Sequence, residues 1–143
     1  FLPIGISNSE WTISPATNSP AAASGLRLTP RAMLKFGMLY LQDGIWDGKQ
    51  IIPKEWVKES FEPHIMRPDG QGYGYQFWIL DYQIDGKTLH VPVAVGNGDQ
   101  RIFFDLQNKM LLITTAGNYN QWDIENDASA LLKKIYSSFT LNN

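Results

Sequence analysis

The chain has 143 residues, no cysteine and a formal net charge of −2 at pH 7, with 43% hydrophobic and 18% charged residues. This composition excludes a disordered chain, thiol catalysis, thiolate metal sites and disulfide bonds, and the mixed charges form no basic stripe for a nucleic-acid backbone. No run of about 18 apolar residues occurs, so the sequence predicts no membrane span. A chain of this length buries roughly two-thirds of its unfolded surface, which is enough for one domain or part of one.

The N-terminal residues 1–28 are rich in Ser, Pro, Ala and Asn. This composition predicts an irregular loop. Because no linker or internal repeat divides the chain, we expect residues 1–143 to form a single unit. The chain begins at Phe1, without Met and without a signal-peptide pattern, which predicts a truncated or processed product.

Residues 29–62 are predicted to be helical. Thr29-Pro30 is typical of a helix start, since the Thr hydroxyl accepts from free amides and Pro suits the first helical position. Asp43-Gly44 is a typical helix end. Gly37 lies inside this helix, where glycine costs about 1 kcal/mol relative to alanine, so we expect close packing of another element against it.

A second, short helix is predicted over residues 54–61, after a tight turn at Asp47-Gly48. Its inward side chains are expected to be Trp56, Val57 and Phe61. The Gly- and Pro-rich residues 64–72 predict a loop.

Residues 73–116 predict antiparallel strands. Alternation predicts a first strand over 73–79, and Asp85-Gly86 is typical of a hairpin turn. Pro92 favours an edge position or a strand start for the second strand, 91–95. Two buried-type strands follow, over 101–105 and 110–115, joined by a four-residue turn.

Residues 123–140 predict the last helix, capped by Asp123. Its apolar stripe is expected to be Ile124, Ala128, Leu131, Ile135 and Phe139. A loop, two helices, an antiparallel meander and a final helix predict an α+β fold.

The aromatic residues have two interpretations. We expect Trp46, Trp56, Tyr73, Phe77 and Trp78 to belong to the core. Trp11 and Trp122 lie in predicted loops, where they could instead rim a substrate cleft.

No complete catalytic set occurs in the sequence. No Ser is followed by Lys three residues later, no Tyr or Ser by Asn two residues later, and there is no G-x-S-x-G motif. A zinc site requires three or four ligands, so His64 and His90 predict no metal. We expect both histidines at the surface or in loops, although His90 in a strand could line a groove.

The segment Gly96-Asn97-Gly98-Asp99-Gln100-Arg101, between two predicted strands, is the best local candidate for a ligand site. Two neighbouring glycines let the backbone approach a ligand, and amides there can point at a developing oxyanion. The alternative is an ordinary hairpin turn, because Asn-Gly is the strongest two-residue signal for one.

Several runs, in order along the chain, carry a family resemblance. They are Ser24-Gly25-Leu26-Arg27-Leu28-Thr29-Pro30-Arg31, the stretch 44–53 with Glu55-Trp56-Val57, Tyr73-Gly74-Tyr75, Gly96-Asn97-Gly98 and Thr115-Ala116-Gly117-Asn118-Tyr119. Together they resemble the class C β-lactamase-related serine hydrolases. This superfamily includes penicillin-binding proteins, β-lactamases, esterases and amide hydrolases.

The resemblance implies the C-terminal part of a β-lactamase/transpeptidase-like fold. The full-length parent would be a bacterial, periplasmic or extracellular enzyme that hydrolyses a small ester, amide or peptidoglycan-like substrate through a serine acyl-enzyme, without metal or cofactor. The family's Ser-x-x-Lys and Tyr-x-Asn motifs are absent here. The chain therefore contains no predicted catalytic residue, and alone it is expected to be inactive.

The resemblance assigns Gly96, Asn97, Gly98, Asp99 and Gln100 to the substrate and oxyanion side of the site. The amide of Asp99 or Gln100 would be an oxyanion donor, and Asn97 would face the substrate. No cation stands where Lys or His often occurs in the family, which disfavours penicillin carboxylate recognition. Asp99 stands where Gly is more usual, so either its side chain points away or the site is weakened. The run Lys87-Thr88-Leu89 lacks the family's glycine and is expected to be hairpin structure.

Two other hypotheses remain open from the sequence. The fold could be a non-catalytic ligand-binding or sensor module, or it could be a standalone interaction domain. A chain that lacks the parent's first two sheet strands is expected to expose a strand edge and could dimerise through it.

Overall fold

A computed structural model describes residues 1–21, 24–121 and 127–140 of the chain. A single 3₁₀ turn spans Leu2–Ile4. The strands and helices of the described residues are, in chain order, β1 Ser9–Trp11, β2 Ile13–Ser14, β3 Ser19–Pro20, β4 Leu26–Leu28, α1 Pro30–Leu41, β5 Ile45–Trp46, β6 Lys49–Gln50, α2 Lys54–Phe61, β7 Ile65–Met66, β8 Gly72–Tyr73, β9 Trp78–Ile84, β10 Lys87–Val95, β11 Arg101–Asp105, β12 Met110–Thr114 and α3 Asp127–Thr140.

One six-stranded sheet with strand order β12-β11-β10-β9-β8-β7 organises the fold, and all of its pairings are antiparallel. The predicted hairpin at Asp85-Gly86 is confirmed, since both residues have positive φ, 50° and 76°, and Ile84 pairs with Lys87. Positive φ at both central residues matches the twist of the flanking strands. The mixed composition of helices and antiparallel sheet is therefore as predicted.

Alternation along β11 assigns each face of the sheet to different helices. Ile102 and Phe104 pack in one cluster with side chains of α1 and α2. Phe103 packs in another cluster with Ala128 and Leu132 of α3. Because successive side chains of a strand point to opposite faces, the sheet lies between α3 on one side and α1 with α2 on the other.

Helix α1 has the predicted start and the predicted close contact. The Oγ1 atom of Thr29 accepts a hydrogen bond from the amide of Ala32 at 3.2 Å. A Cβ atom at Gly37 would lie 3.1 Å from Leu111 and 3.2 Å from Ile102, so the glycine lets the helix approach β11 and β12 closely.

The predicted strand over 73–79 is wrong. Strand β8 ends at Tyr73, a turn follows in which the amide of Gly74 donates to the Phe77 carbonyl at 2.8 Å, and β9 begins at Trp78. A Cβ atom at Gly74 would lie 2.4 Å from the carbonyl oxygen of Ser60. The turn therefore packs on the backbone of α2, a long-range contact that local alternation does not reveal.

Two predicted loops contain short strands. Residues 1–28, predicted to be irregular, include the pairs β1–β4 and β2–β3. Residues 64–72, also predicted to be a loop, contain β7 and the start of β8 at the sheet edge. Pairings of two or three residues depend on the partner strand rather than on local propensity, so the sequence pattern did not indicate them.

The prediction that Pro92 marks an edge or a strand start is also wrong, because β10 lies inside the sheet and Pro92 lies within it. The pairing of β10 with β11 extends from Val95 only to Val93. Proline has no N–H to donate. Its position next to the end of this pairing explains why an interior strand tolerates it.

The predicted apolar stripe of α3 is wrong in part. Ala128 and Leu132 are buried and Tyr136 packs beside them, whereas Leu131 and Phe139 are 45% and 54% exposed. Ile124 and the predicted cap Asp123 lie outside the described residues, as does Trp122. Ala128, Leu132 and Tyr136 are spaced four residues apart and so share one helix face. Their spacing is as regular as that of the predicted stripe, so the sequence pattern alone does not distinguish the two faces.

Most of the predicted core aromatic residues are partly or fully buried, but Trp56 is 45% exposed. Its ring stacks on that of Tyr75 with centroids 4.9 Å apart. Trp11 lies in the N-terminal strand pairs, where its Nε1 donates to the carbonyls of Ala21 and Ser24.

A buried carboxylate holds the C-terminal half of α3 to the sheet. Asp105, at the end of β11, is 2% exposed and accepts hydrogen bonds from the Tyr136 hydroxyl at 2.5 Å and the Asn108 amide at 3.0 Å. Burial raises the pKa of Asp105, but the hydrogen bonds from Tyr136 and Asn108 outweigh that effect and hold its pKa below the usual value. The charged carboxylate is therefore favoured in the folded state.

We predict that Asp105→Asn lowers the free energy of unfolding by about 1–3 kcal/mol at pH 7, because the amide cannot accept all of these bonds and its NH₂ group faces other donors. The wild-type contribution is complete above the unfolded-state pKa of about 3.9 and is lost as the pH falls through the lower folded-state pKa. Urea unfolding at pH 7 and pH 3 should therefore show a larger loss for the wild type than for the variant. Equal losses would contradict this role, and Asp47→Asn, in an exposed turn, is the control.

Candidate functional site

The five predicted site residues form the connection between β10 and β11, termed here the 96–100 loop. The amide of Gly96 donates to the Gln100 carbonyl at 2.8 Å, and the amide of Asp99 donates to the Gly96 carbonyl at 3.0 Å. Asp99 has φ 67°, in the left-handed region. The segment is therefore a hairpin connection, but a five-residue one rather than a two-residue Asn-Gly turn, since neither Asn97 nor Gly98 has positive φ. The oxyanion role of the loop remains a prediction.

The segment after β12, residues 115–121, covers the 96–100 loop. The amide of Asn118 donates to the Gly98 carbonyl at 3.2 Å, and the Asn97 Nδ2 donates to Asn120 Oδ1 at 3.0 Å. A Cβ atom at Gly98 would lie 2.9 Å from the ring of Tyr119. Glycine at this position therefore lets the two segments lie against each other.

The side chain of Gln100 ties the two segments together. Its Nε2 donates to the Ala116 carbonyl at 2.7 Å and to the Tyr119 hydroxyl at 3.1 Å, and its Oε1 accepts from the Gly98 amide at 3.1 Å. Sequence reasoning included Gln100 for its backbone amide but missed this side-chain role. It also gave no site role to Asn118 and Asn120. The one sequence feature that could have indicated them is the predicted hairpin of β11 and β12. Because the two strands are antiparallel, the residues after β12 lie at the same end of the sheet as the 96–100 loop.

Two backbone donors of the loop have no acceptor among the described residues. The amides of Gly98 and Asp99 are used inside the loop, whereas no hydrogen bond with a described acceptor is found for the amides of Asn97 and Gln100. Of the two predicted oxyanion donors, the amide of Asp99 is used inside the loop, and that of Gln100 has no described acceptor, although Gln100 does not line the groove described below. The sequence did not indicate the amide of Asn97, which also has no described acceptor and belongs to a residue that lines the groove.

The Asp99 carboxylate is directed to Arg101 and the start of α3. Its Oδ1 accepts from Arg101 Nε at 2.6 Å and its Oδ2 accepts from the amide of Ala128 at 3.2 Å. The two side chains are only 12% and 10% exposed. The guanidinium and the positive end of the helix dipole offset the negative charge that Asp99 brings near the loop.

A groove of about 630 Å³ lies beside the loop. Three of the predicted residues, Gly96, Asn97 and Asp99, line it. The other lining residues come from β9, β10, β11, α3, the connection between β7 and β8, and the segment after β12: Arg67, Gln71, Trp78, Leu80, Asp81, Tyr82, Val95, Arg101, Asn118, Gln121 and Ser129. The lining thus combines an apolar wall with carboxamide side chains, a composition typical of ligand sites.

The remaining candidates lie outside the loop. His64 contacts Glu59, and His90 contacts the Asp81 carboxylate at 2.6 Å, with both histidines exposed. His90 does not line the groove, although Asp81 does. Lys87-Thr88-Leu89 begins β10 directly after the turn, as predicted for hairpin structure.

In the part of the chain that the structure describes, no group of three or more His, Asp or Glu side chains is arranged to hold a metal ion. The helices within residues 1–21, 24–121 and 127–140 are also too short or too polar to cross a bilayer.

Solved structures of two other proteins have a fold similar to that of this chain. One is a provisionally assigned 6-aminohexanoate-dimer hydrolase from Bacillus anthracis, with a TM-score of 0.68 and 22% identity over 95% of this chain. Another is a provisionally assigned beta-lactamase from Bacteroides dorei DSM 17855, with a TM-score of 0.60 and 13% identity over 96% of this chain. No protein-family model matches the sequence, and no curated protein is significantly similar to it.

Both structures belong to the β-lactamase/transpeptidase-like superfamily, so the resemblance inferred from the sequence motifs is confirmed at the level of the fold. This chain spans 34% of the first structure's chain and 48% of the second's.

We predict that Asp99→Ala lowers the free energy of unfolding by about 2–4 kcal/mol, because it leaves the nearly buried Arg101 without its counter-charge and the α3 amide without its acceptor. Asp99→Asn should cost less, since asparagine keeps an acceptor and tolerates the positive φ. Asp81→Asn, which breaks an exposed pair, is the matched control and should change stability by under about 1 kcal/mol. Urea denaturation measures all three, and equal effects of Asp99→Ala and Asp81→Asn would contradict the prediction.

Proposed function

We propose that this chain forms the C-terminal part of a β-lactamase-like serine hydrolase domain and supplies the oxyanion-side wall of its active site. The parent hydrolyses a small-molecule ester or amide through a serine acyl-enzyme. The observation that carries the proposal is the 96–100 loop, three residues of which, Gly96, Asn97 and Asp99, line a groove in a fold shared with hydrolases. Among the described residues, no acceptor is found for the amide of Asn97. The proposed periplasmic or extracellular location follows from the family resemblance alone.

The loop would act when negative charge develops on the substrate carbonyl oxygen. Attack by a serine hydroxyl, with its proton passing to a base, converts the carbonyl to a tetrahedral oxyanion. Backbone N–H groups held about 2.7–3.1 Å from that oxygen stabilise it without reorganising. The hydrogen bonds of Gln100 to Ala116 and Tyr119 hold the loop in place, so its amides are preorganised.

The exposed surfaces of the chain support its being part of a larger domain. Among the described residues, β12 pairs only with β11, and one edge of its backbone is therefore open. Leu131 and Phe139 of α3 are about half exposed. An open strand edge and exposed apolar side chains are each surfaces that another chain segment, or a second copy of this chain, would cover.

The second candidate is a non-catalytic ligand-binding or sensor module. Asp99 favours this candidate, because the family more usually has glycine at this position. In this chain the Asp99 side chain instead binds Arg101 and the first turn of α3. Binding to the groove without hydrolysis, even by the full-length parent, would distinguish this module from an enzyme.

We predict that the isolated 143-residue chain hydrolyses neither chromogenic esters nor β-lactams, because it contains neither a Ser-x-x-Lys nor a Tyr-x-Asn motif. Spectrophotometric assays at high protein concentration measure this. Activity that persists through extensive purification, and that changes with substitutions in the 96–100 loop, would overturn the proposal that the nucleophile lies elsewhere.

In the longer protein that the proposal requires, Asn97→Pro and Gln100→Pro each delete one backbone N–H group of the loop, and Gln100→Pro also removes the side chain that binds Ala116 and Tyr119. The variant that lacks the oxyanion donor should lose about 10²- to 10³-fold in kcat. Gly117→Ala is a control, since a Cβ atom there meets no other atom within 4 Å. If both proline variants fold, as judged by circular dichroism, and retain kcat, the loop does not supply the oxyanion donor.

A further inference from the structure

We infer that the groove beside the 96–100 loop selects an uncharged amide chain over an anionic ligand, an inference that rests on the proposed function in taking this groove as the substrate site. The charged lining residues are two arginines, Arg67 and Arg101, and two aspartates, Asp81 and Asp99. Their formal charges cancel. A groove with balanced charge does not attract a carboxylate over long range.

Both arginines are already paired with carboxylates. Arg101 Nε lies 2.6 Å from Asp99 Oδ1, and both side chains are nearly buried. Arg67 Nη2 lies 3.1 Å from Asp69 Oδ2, and its guanidinium lies 5.3 Å from the ring centroid of Trp78. A ligand carboxylate would have to compete with an aspartate for either guanidinium, so neither provides an open bidentate site.

The uncharged lining matches an amide chain. Gln71, Asn97, Asn118 and Gln121 carry carboxamides, each of which can both donate and accept hydrogen bonds. Trp78, Leu80 and Val95 form the apolar part of the lining. Peptide-like groups separated by short apolar links present the same alternation, so the polar groups of such a ligand find partners while its links bury apolar surface.

The test compares two ligands that differ only at one end. N-acetyl-trialanine amide is uncharged, and N-acetyl-trialanine carries a terminal carboxylate. We expect the amide to bind the full 143-residue chain at least about fivefold more tightly in NMR titrations, with shifts at the side-chain NH₂ signals of Gln71, Asn97 and Asn118.

Asp69→Asn provides a gain-of-binding arm. It removes the carboxylate partner of Arg67 and leaves a free guanidinium at the groove. Affinity for N-acetyl-trialanine should rise about three- to tenfold while affinity for the amide stays unchanged. Asp47→Asn makes the same charge change in the β5–β6 turn and should leave both affinities unchanged.

The inference is overturned if the wild-type chain binds the carboxylate as tightly as the amide, if maltotriose binds more tightly than either, or if neither peptide shifts groove signals. These outcomes are separable from the failure of the proposed function. Selective amide binding by a parent without hydrolysis supports the inference and rejects the enzyme, whereas a parent that hydrolyses carboxylate-bearing substrates preferentially supports the enzyme and rejects the inference.

Discussion

Strand β11 is the element on which the rest of the structure depends, because all five of its residues are buried between two layers of helices. Its alternation directs Ile102 and Phe104 to α1 and α2, and Phe103 to α3. Arg101 and Asp105 share the α3 face, where burying a charge is costly unless it is paired and hydrogen bonded. Their partners therefore determine where α3 lies.

The pairing of these two charges connects the fold to the candidate site. Asp99 neutralises Arg101 and accepts from the first turn of α3, while Asp105 accepts from Tyr136 near the end of the same helix. The helix is thus held to the sheet at both ends. Since Asp99 belongs to the 96–100 loop, the contact that holds the helix start also orients the loop whose amides are proposed to act on substrate.

The groove follows from the same arrangement. The 96–100 loop connects β10 to β11, and the 115–121 segment follows β12, which pairs with β11. The two segments therefore lie at the same end of the sheet, where Gln100, Asn97 and Asn118 form hydrogen bonds between them. The groove opens beside them, with β9 forming much of its apolar wall. Both of its arginines are paired with a carboxylate, Arg101 with Asp99 and Arg67 with Asp69, which is why ligand selection is proposed to depend on carboxamides rather than on a free cation.

The sequence by itself determined the features that depend on local chemistry. The cap at Thr29, the Asp85-Gly86 turn, the close contact at Gly37 and the position of the 96–100 loop all follow from backbone preferences of a few neighbouring residues, and the order of motifs predicted the fold family. Tertiary structure alone decided the β8–β9 turn at Gly74, the face of α3 that is buried, the exposure of Trp56 and the side-chain role of Gln100. Each of these depends on an atom distant in sequence, such as the Ser60 carbonyl or the Tyr136 hydroxyl. Local sequence patterns were equally compatible with two buried faces of α3, for example, and only contacts with residues distant in sequence determined which face is buried.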